Sequence, residues 1–135
     1  MRMKRICCRV LVVMMLLGSL CMNAWAIVPA NTFSLIQTRA SGHFTVEIEA
    51  NSTAKSTSDF PLSAGETVRI DAIFSPEGAN LDVGLIAPDG YYYYLNINGG
   101  GDIDKTIRVD DRGNYTLQIR NNSDAPVVVT GFVYY

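Results

Sequence analysis

Period-two alternation of apolar and polar residues runs through most of this chain and restricts it to half-buried β-strands. Phe44, Val46 and Ile48 alternate with Thr45, Glu47 and Glu49. Val68, Ile70, Ala72 and Phe74 alternate with Thr67, Arg69, Asp71 and Ser75. Tyr115, Leu117 and Ile119 alternate with Thr116, Gln118 and Arg120. Leu81, Val83 and Leu85 share a face, as do Ile103, Ile107 and Val109, with Lys105 the exception among them. Successive side chains of a strand point to opposite faces, so each run has one apolar side to bury. No window beyond residue 26 carries a convincing helical period.

Turn residues punctuate these runs at Ser75-Pro76-Glu77-Gly78, Pro88-Asp89-Gly90, Asn98 to Gly101, Asp110-Asp111-Arg112-Gly113 and Asn121 to Pro126. Proline presets the first turn dihedral, and glycine or asparagine supplies the positive one. Regular spacing of this kind predicts an all-β fold: an antiparallel β-sandwich of the jelly-roll-like class, with about seven or eight strands. The clearest hairpin is Leu81–Ala87, the Pro88-Asp89-Gly90 turn, then Tyr91–Ile97. Val127 to Tyr135 is apolar on both faces. It is expected in the middle of a sheet or against the N-terminal strand, because an exposed apolar edge invites aggregation. Asn51 to Asp59 has no core face and reads as a loop or mobile strand, and Thr32 to Ala40 as an extra strand or ordered arm.

Arg2, Lys4, Arg5 and Arg9 precede the apolar run Val10 to Leu20, and Ala24-Trp25-Ala26 follows with small residues at both recognition positions. That order is the one of a secretory signal peptide, residues 1–26. Two other readings compete: an uncleaved anchor running on toward Val28, and a lipoprotein on Cys21. Val10 to Met22 is thirteen residues, short of the roughly 20 that a spanning helix needs. Leu20 is bulky where a lipoprotein site needs a small residue. The signal reading leaves a single domain, residues 27–135, expected to be secreted or held at the cell surface, with no membrane span after cleavage.

Cys7, Cys8 and Cys21 all fall in the signal segment. The remaining domain is therefore stabilised by its core without disulfides, and its length suffices for one such core. All thirteen acidic residues but only seven of the eleven basic ones lie beyond residue 26, a net charge of −6. That balance argues against nucleic acid and anionic membrane as partners.

Three stretches carry a family resemblance. FPLSAGETVRIDAIF (Phe60–Phe74) has an apolar start, Ala-Gly, then an alternating strand. ANLDVGLIAPDG (Ala79–Gly90) is a strand with an aspartate and a Pro-Asp-Gly turn, and DDRGNYTLQIRNNS (Asp110–Ser123) sets a glycine before an aromatic-led strand. From about Phe60 to Tyr135 the chain resembles the bacterial pre-peptidase C-terminal domain, a secreted jelly-roll-like sandwich. It is also similar to small stand-alone secreted proteins of Gram-positive bacteria. The resemblance implies architecture first. Calcium and extracellular polymers are among the ligands of proteins with that fold.

Catalytic signals are weak. His43 is the lone histidine, and no Gly-x-Ser-x-Gly elbow occurs, so an enzyme is not expected. One histidine cannot build a zinc site. Calcium is the one cofactor considered: Asn98, Asp102 and Asp104 flank a triple glycine, and Asp110-Asp111 and Asp82 or Asp89 are near in sequence. Aspartate and glycine also form turns without any ion. The most suggestive feature is Tyr91-Tyr92-Tyr93-Tyr94 on one strand. Alternation sends two rings to each face. One pair is expected in the core and the other exposed, with its rings about 7 Å apart. Exposed tyrosines stack on sugars or peptide side chains. The expected function is a non-enzymatic binding module for an extracellular glycan, cell-wall polymer or protein, using Tyr91, Tyr92, Tyr93 and Tyr94. The alternatives are an interaction protein acting through sheet-edge pairing and a calcium-stabilised accessory domain.

Overall fold

Each alternating run becomes a strand with its apolar side turned inward. The computed structural model describes residues 31–135; the expected signal segment, residues 1–26, lies outside the described residues. Eleven strands form in chain order: β1 (Thr32–Phe33), β2 (Ile36–Gln37), β3 (Ser41–Ile48), β4 (Thr53–Ser56), β5 (Phe60–Leu62) and β6 (Thr67–Ser75). They continue as β7 (Asn80–Ile86), β8 (Tyr92–Asn98), β9 (Asp102–Arg108), β10 (Gly113–Asn121) and β11 (Val127–Tyr134). Among the described residues no helix is long and apolar enough to cross a membrane.

Six strands make one sheet, in the order β1-β4-β10-β7-β8 with β5 also on β10; five make the other, in the order β2-β3-β11-β6-β9. All pairings are antiparallel except β1 with β4. This is the expected all-β sandwich, with more strands than the seven or eight expected. The excess is β1, β2, β4 and β5, each two to four residues long, too short to display an alternation. The Asn51 to Asp59 stretch holds one of them. It does have a core face: Ala54 and Ser56 are buried, and β4 pairs with β10. A two-residue inward face of alanine and serine lacks the bulky apolar signature of a strand.

The apolar last strand lies centrally, between β3 and β6 in the five-stranded sheet. Its inward Val127, Val129 and Val133 are fully buried, while Val128, Phe132 and Tyr134 emerge on the far side. Facing them across the core are Leu81, Val83 and Leu85 of β7 and Leu117 and Ile119 of β10. Burial of a large aliphatic side chain contributes about 1.5–3 kcal/mol, and without disulfides this layer is what holds the sheets together. Asn121 is a polar group within it: fully buried at the end of β10, it donates from Nδ2 to the carbonyls of Ile48 and Glu49 at the end of β3.

The triple glycine is a crossing. Gly99, Gly100 and Gly101 have φ of 75°, 92° and 74°, three successive left-handed residues that glycine adopts without steric cost. They carry the chain from β8, at the edge of the six-stranded sheet, to β9, at the edge of the five-stranded one. The expected hairpin partners, β7 and β8, do pair, from Asn80 opposite Asn98 to Ile86 opposite Tyr92.

Candidate functional site

The site is built on the outer face of the six-stranded sheet, where the register sets the neighbours. Gly84 lies opposite Tyr94 on one side and Gln118 on the other, and Asp82 lies opposite Asn96 and Arg120. Lys55 of β4 stands opposite Gln118. Rows of outward side chains therefore cross four strands: Lys55, Gln118, Gly84 and Tyr94 in one, and Thr53, Arg120, Asp82 and Asn96 in the next.

Gly84 makes the centre of this face a bare floor. A Cβ there would collide with the carbonyl oxygen of Tyr93 and the Cα of Tyr94, so only glycine permits the close approach of β8 to β7. Across that floor Tyr92 lies down, its single hydroxyl hydrogen shared between the backbone carbonyls of Asp82 (2.6 Å) and Gln118 (3.0 Å). Its ring meets that of Tyr94 at 4.9 Å between centroids, tilted by 31°. The Arg120 guanidinium sits over both rings, 5.4 Å from Tyr92 and 5.5 Å from Tyr94, within the range of a cation–π attraction. Asp82 lies beneath, accepting from Asn96 Nδ2 at 2.8 Å and from Arg120 Nη1 at 3.4 Å. Asn80 Oδ1 extends the network by accepting from both Asn96 and Asn122. Burial pushes the Tyr92 phenol well above the ordinary tyrosine range; the Asp82 charge adds to the shift and Arg120 opposes it.

The four tyrosines distribute differently from the two-in, two-out expectation. None joins the core. Tyr91, Tyr93 and Tyr94 are exposed by half or more of their surface or close to it, and Tyr92 is half-buried. The reason is position: β8 is an edge strand, so its inward side at Tyr93 and Leu95 overhangs a groove instead of packing against a sheet. Tyr91 belongs to the turn, where its amide donates to Asp89. The Tyr93 hydroxyl donates to Asp89 Oδ2 at 3.0 Å, and that bond holds its phenol above the usual range. The Tyr92 and Tyr94 rings are also closer than the 7 Å expected from strand rise, because both lean over the floor that Gly84 leaves open.

The candidate calcium ligands do not converge. Asp102 opens β9 and Asp110 lies two residues past its other end, with a strand that spans roughly 20 Å between them. Asp104 is taken by Arg69, which donates from Nε at 2.9 Å and from a terminal nitrogen at 3.2 Å. Those bonds hold the Asp104 carboxyl below the usual carboxylate range. Asn98 ends β8 opposite Asn80. Among the described residues no group of three or more histidine, cysteine or acidic side chains is placed to hold a metal ion.

His43 stands on the outer face of the other sheet, its ring 4.9 Å from Phe132. A cleft between the sheets near Tyr93 and Tyr115 measures about 150 Å3, small beside the several hundred Å3 of a typical small-molecule pocket. The flat tyrosine face is the better-developed surface. Arg120 and Asp82 were the parts that sequence left unassigned to it. The alternation along β10 marks Arg120 as outward, but nothing local shows which strand lies beside it.

No protein-family model and no curated protein matches this sequence. Solved structures do resemble the fold. A periplasmic inhibitor of g-type lysozyme from Aeromonas hydrophila has a TM-score of 0.54 at 16% identity, covering 76% of this chain and 94% of that one. The C-terminal CBM6 module of a marine laminarinase from Zobellia galactanivorans has a TM-score of 0.50 at 13% identity, covering 70% and 82%. A pre-peptidase C-terminal domain of a collagenase from Bacillus anthracis is also similar, with a TM-score of 0.45 at 15% identity, covering 76% and 92%. At such identities the first two likenesses establish a shared β-sandwich fold, and function has to be argued from the site.

Proposed function

We propose that the chain is a secreted, non-enzymatic binding module that holds an extracellular glycan on the outer face of its six-stranded sheet. The observation that carries this reading is the Tyr92–Tyr94–Arg120 assembly over the bare floor at Gly84. It presents a ring that is half exposed and a cation fixed in place, with the floor leaving room for a flat ligand. Such a surface offers a sugar both an apolar ring and hydrogen-bond donors without reorganising. Of the two structures with the higher scores, one is named for carbohydrate binding and the other for lysozyme inhibition, which supports binding as the kind of job. Tyr94 is the contact residue, Arg120 the polar anchor and Tyr92 the support that positions both.

The test is retention of the purified protein on insoluble polysaccharides and cell walls. Retention is expected, at least tenfold weaker for Tyr94→Ala and unchanged for Phe132→Ala on the opposite face. It is also expected to survive chelator, because the one carboxylate at an outward strand position of this face among the described residues, Asp82, is already committed to Asn96 and Arg120. A parent protein that no polymer retains, or a Tyr94→Ala variant retained as well as the parent, overturns the reading.

A protein partner is the second reading, favoured by the open edges of β8 and β9. Their facing sides form a groove lined by Tyr93, Leu95, Thr106, Ile107 and Arg108, and unpaired strand edges are templates for an added strand. The two-sided apolar strand β11 is not available for such pairing, since it is paired on both sides.

A further inference from the structure

The charge on the tyrosine face points to a narrower class of ligand. Outward strand positions of the six-stranded sheet carry two cations, Lys55 and Arg120, and one carboxylate, Asp82. Asp82 is only 6% exposed and lies beneath Arg120. What this face shows to solvent is therefore cationic, on a chain in which acidic residues outnumber basic ones. The opposite sheet is the reverse: Glu47, Asp71, Asp102 and Asp104 point outward against Arg69 and Arg108.

We propose that this face binds an acidic polysaccharide, with the Arg120 guanidinium receiving a uronate carboxylate and Lys55 a neighbouring one. The inference rests on the glycan-binding reading above and names its ligand class. Arg120 is built for the role. Its side chain is 40% exposed, and it lies on a bed of two tyrosine rings. A single terminal nitrogen contacts Asp82, at the long distance of 3.4 Å. Its other N–H donors have no protein acceptor among the described residues. Guanidinium donors form a rigid fork that matches a carboxylate bidentately, and the group stays charged at any physiological pH. Lys55 is diagonal to Arg120 through the Lys55–Gln118 pair, and diagonal outward positions on adjacent strands lie within about 8 Å. Tyr94, on the other flank, is left to cover the apolar side of a sugar ring. The acidic residues elsewhere oppose a polyanion only weakly at contact, because charges more than about 8 Å away are largely screened at physiological ionic strength.

Affinity electrophoresis of the purified protein through gels containing polygalacturonate, alginate or hyaluronate tests this. Fully methyl-esterified polygalacturonate serves as the uncharged control, and polyglutamate as an acidic polypeptide. The expected result is retardation by at least one carboxylated polysaccharide and at least tenfold weaker binding to the ester. Arg120→Lys keeps the charge but loses the fork and the stacking, and is expected to lose about tenfold in affinity. Lys55→Ala, at an exposed position, should lose severalfold with an unchanged melting temperature. Equal binding to acid and ester overturns the acidic specificity while leaving a glycan-binding face in place. Polyglutamate bound as tightly as the polysaccharides overturns the ligand class in favour of acidic protein. Retardation by none of them, together with no retention on neutral insoluble glycans, overturns both this inference and the reading beneath it.

Discussion

Asn121 joins the two sheets through hydrogen bonds, and replacing it tests whether they matter as much as the apolar layer around them. Its side chain is fully buried. Nδ2 donates to the carbonyls of Ile48 and Glu49, both at 3.1 Å, and of Ala125 at 2.8 Å; Oδ1 accepts from the Ser123 amide at 2.9 Å. An amide nitrogen has two hydrogens, so one is shared between the adjacent Ile48 and Glu49 carbonyls. Asn121→Leu keeps the volume and removes two donated bonds and one accepted bond. At about 1 kcal/mol net for each, the loss is about 3 kcal/mol. For a domain of about 100 residues that lowers the melting temperature by roughly 12 °C.

Asn121→Asp is more informative. At neutral pH it puts a carboxylate against three carbonyl oxygens, so the introduced group is expected to have a folded-state pKa well above its unfolded value of about 4. A raised folded pKa means the charge penalty is absent below about pH 4 and grows by about 1.4 kcal/mol per pH unit until the folded pKa is passed. Urea unfolding followed by circular dichroism, from pH 4 to 8 and taken as a difference from the parent, measures both effects. The leucine variant should lose about 3 kcal/mol at every pH; the aspartate variant, which when protonated still accepts from Ser123 and donates one hydrogen, should lose only about 1 kcal/mol near pH 4 and fall below the leucine variant by pH 7. A leucine variant within about 0.5 kcal/mol of the parent, or an aspartate variant whose difference is flat with pH, refutes the role given to Asn121.

Two further outcomes follow from the tyrosine face. Gly84→Ala should cost about 2–3 kcal/mol, the upper range for overpacking, because its Cβ meets the backbone of β8 rather than a side chain that can move; a thermal melt checks this, and a glycan-retention assay on the folded fraction should show weakened binding. Tyr92→Phe loses the hydroxyl that donates to Asp82 and Gln118 and should cost about 1 kcal/mol at pH 7. Since the folded Tyr92 phenol lies above its ordinary range, its contribution is intact below about pH 10 and declines as pH rises beyond that, so the variant should lose less stability than the parent between pH 10 and 12.

The strands and the overall sandwich were readable because alternation is local. A run such as Val68 to Phe74 declares its buried side through its own residues, whatever lies next to it. The Pro88-Asp89-Gly90 turn likewise announces the β7–β8 hairpin, because the residue types meet the dihedral demands of the turn directly. Short β1, β2, β4 and β5 could not be delimited, since two to four residues cannot show a period: Thr32 to Ala40 reads only as an extra strand or ordered arm, and Asn51 to Asp59 as a loop or mobile strand. Strand neighbours across the chain were not readable either. That β8 is an edge, and so keeps its three tyrosines out of the core, depends on β9 crossing to the other sheet. That Arg120 settles over Tyr92 and Tyr94 depends on β7 lying between β8 and β10, with glycine at the one position where the rings need an open floor. Periodicity says which way a side chain points, and that much is a property of the sequence by itself. Which residues it meets there is set by the order of strands in the sheet, a long-range outcome of burying every apolar face at once, and only the tertiary structure decided it.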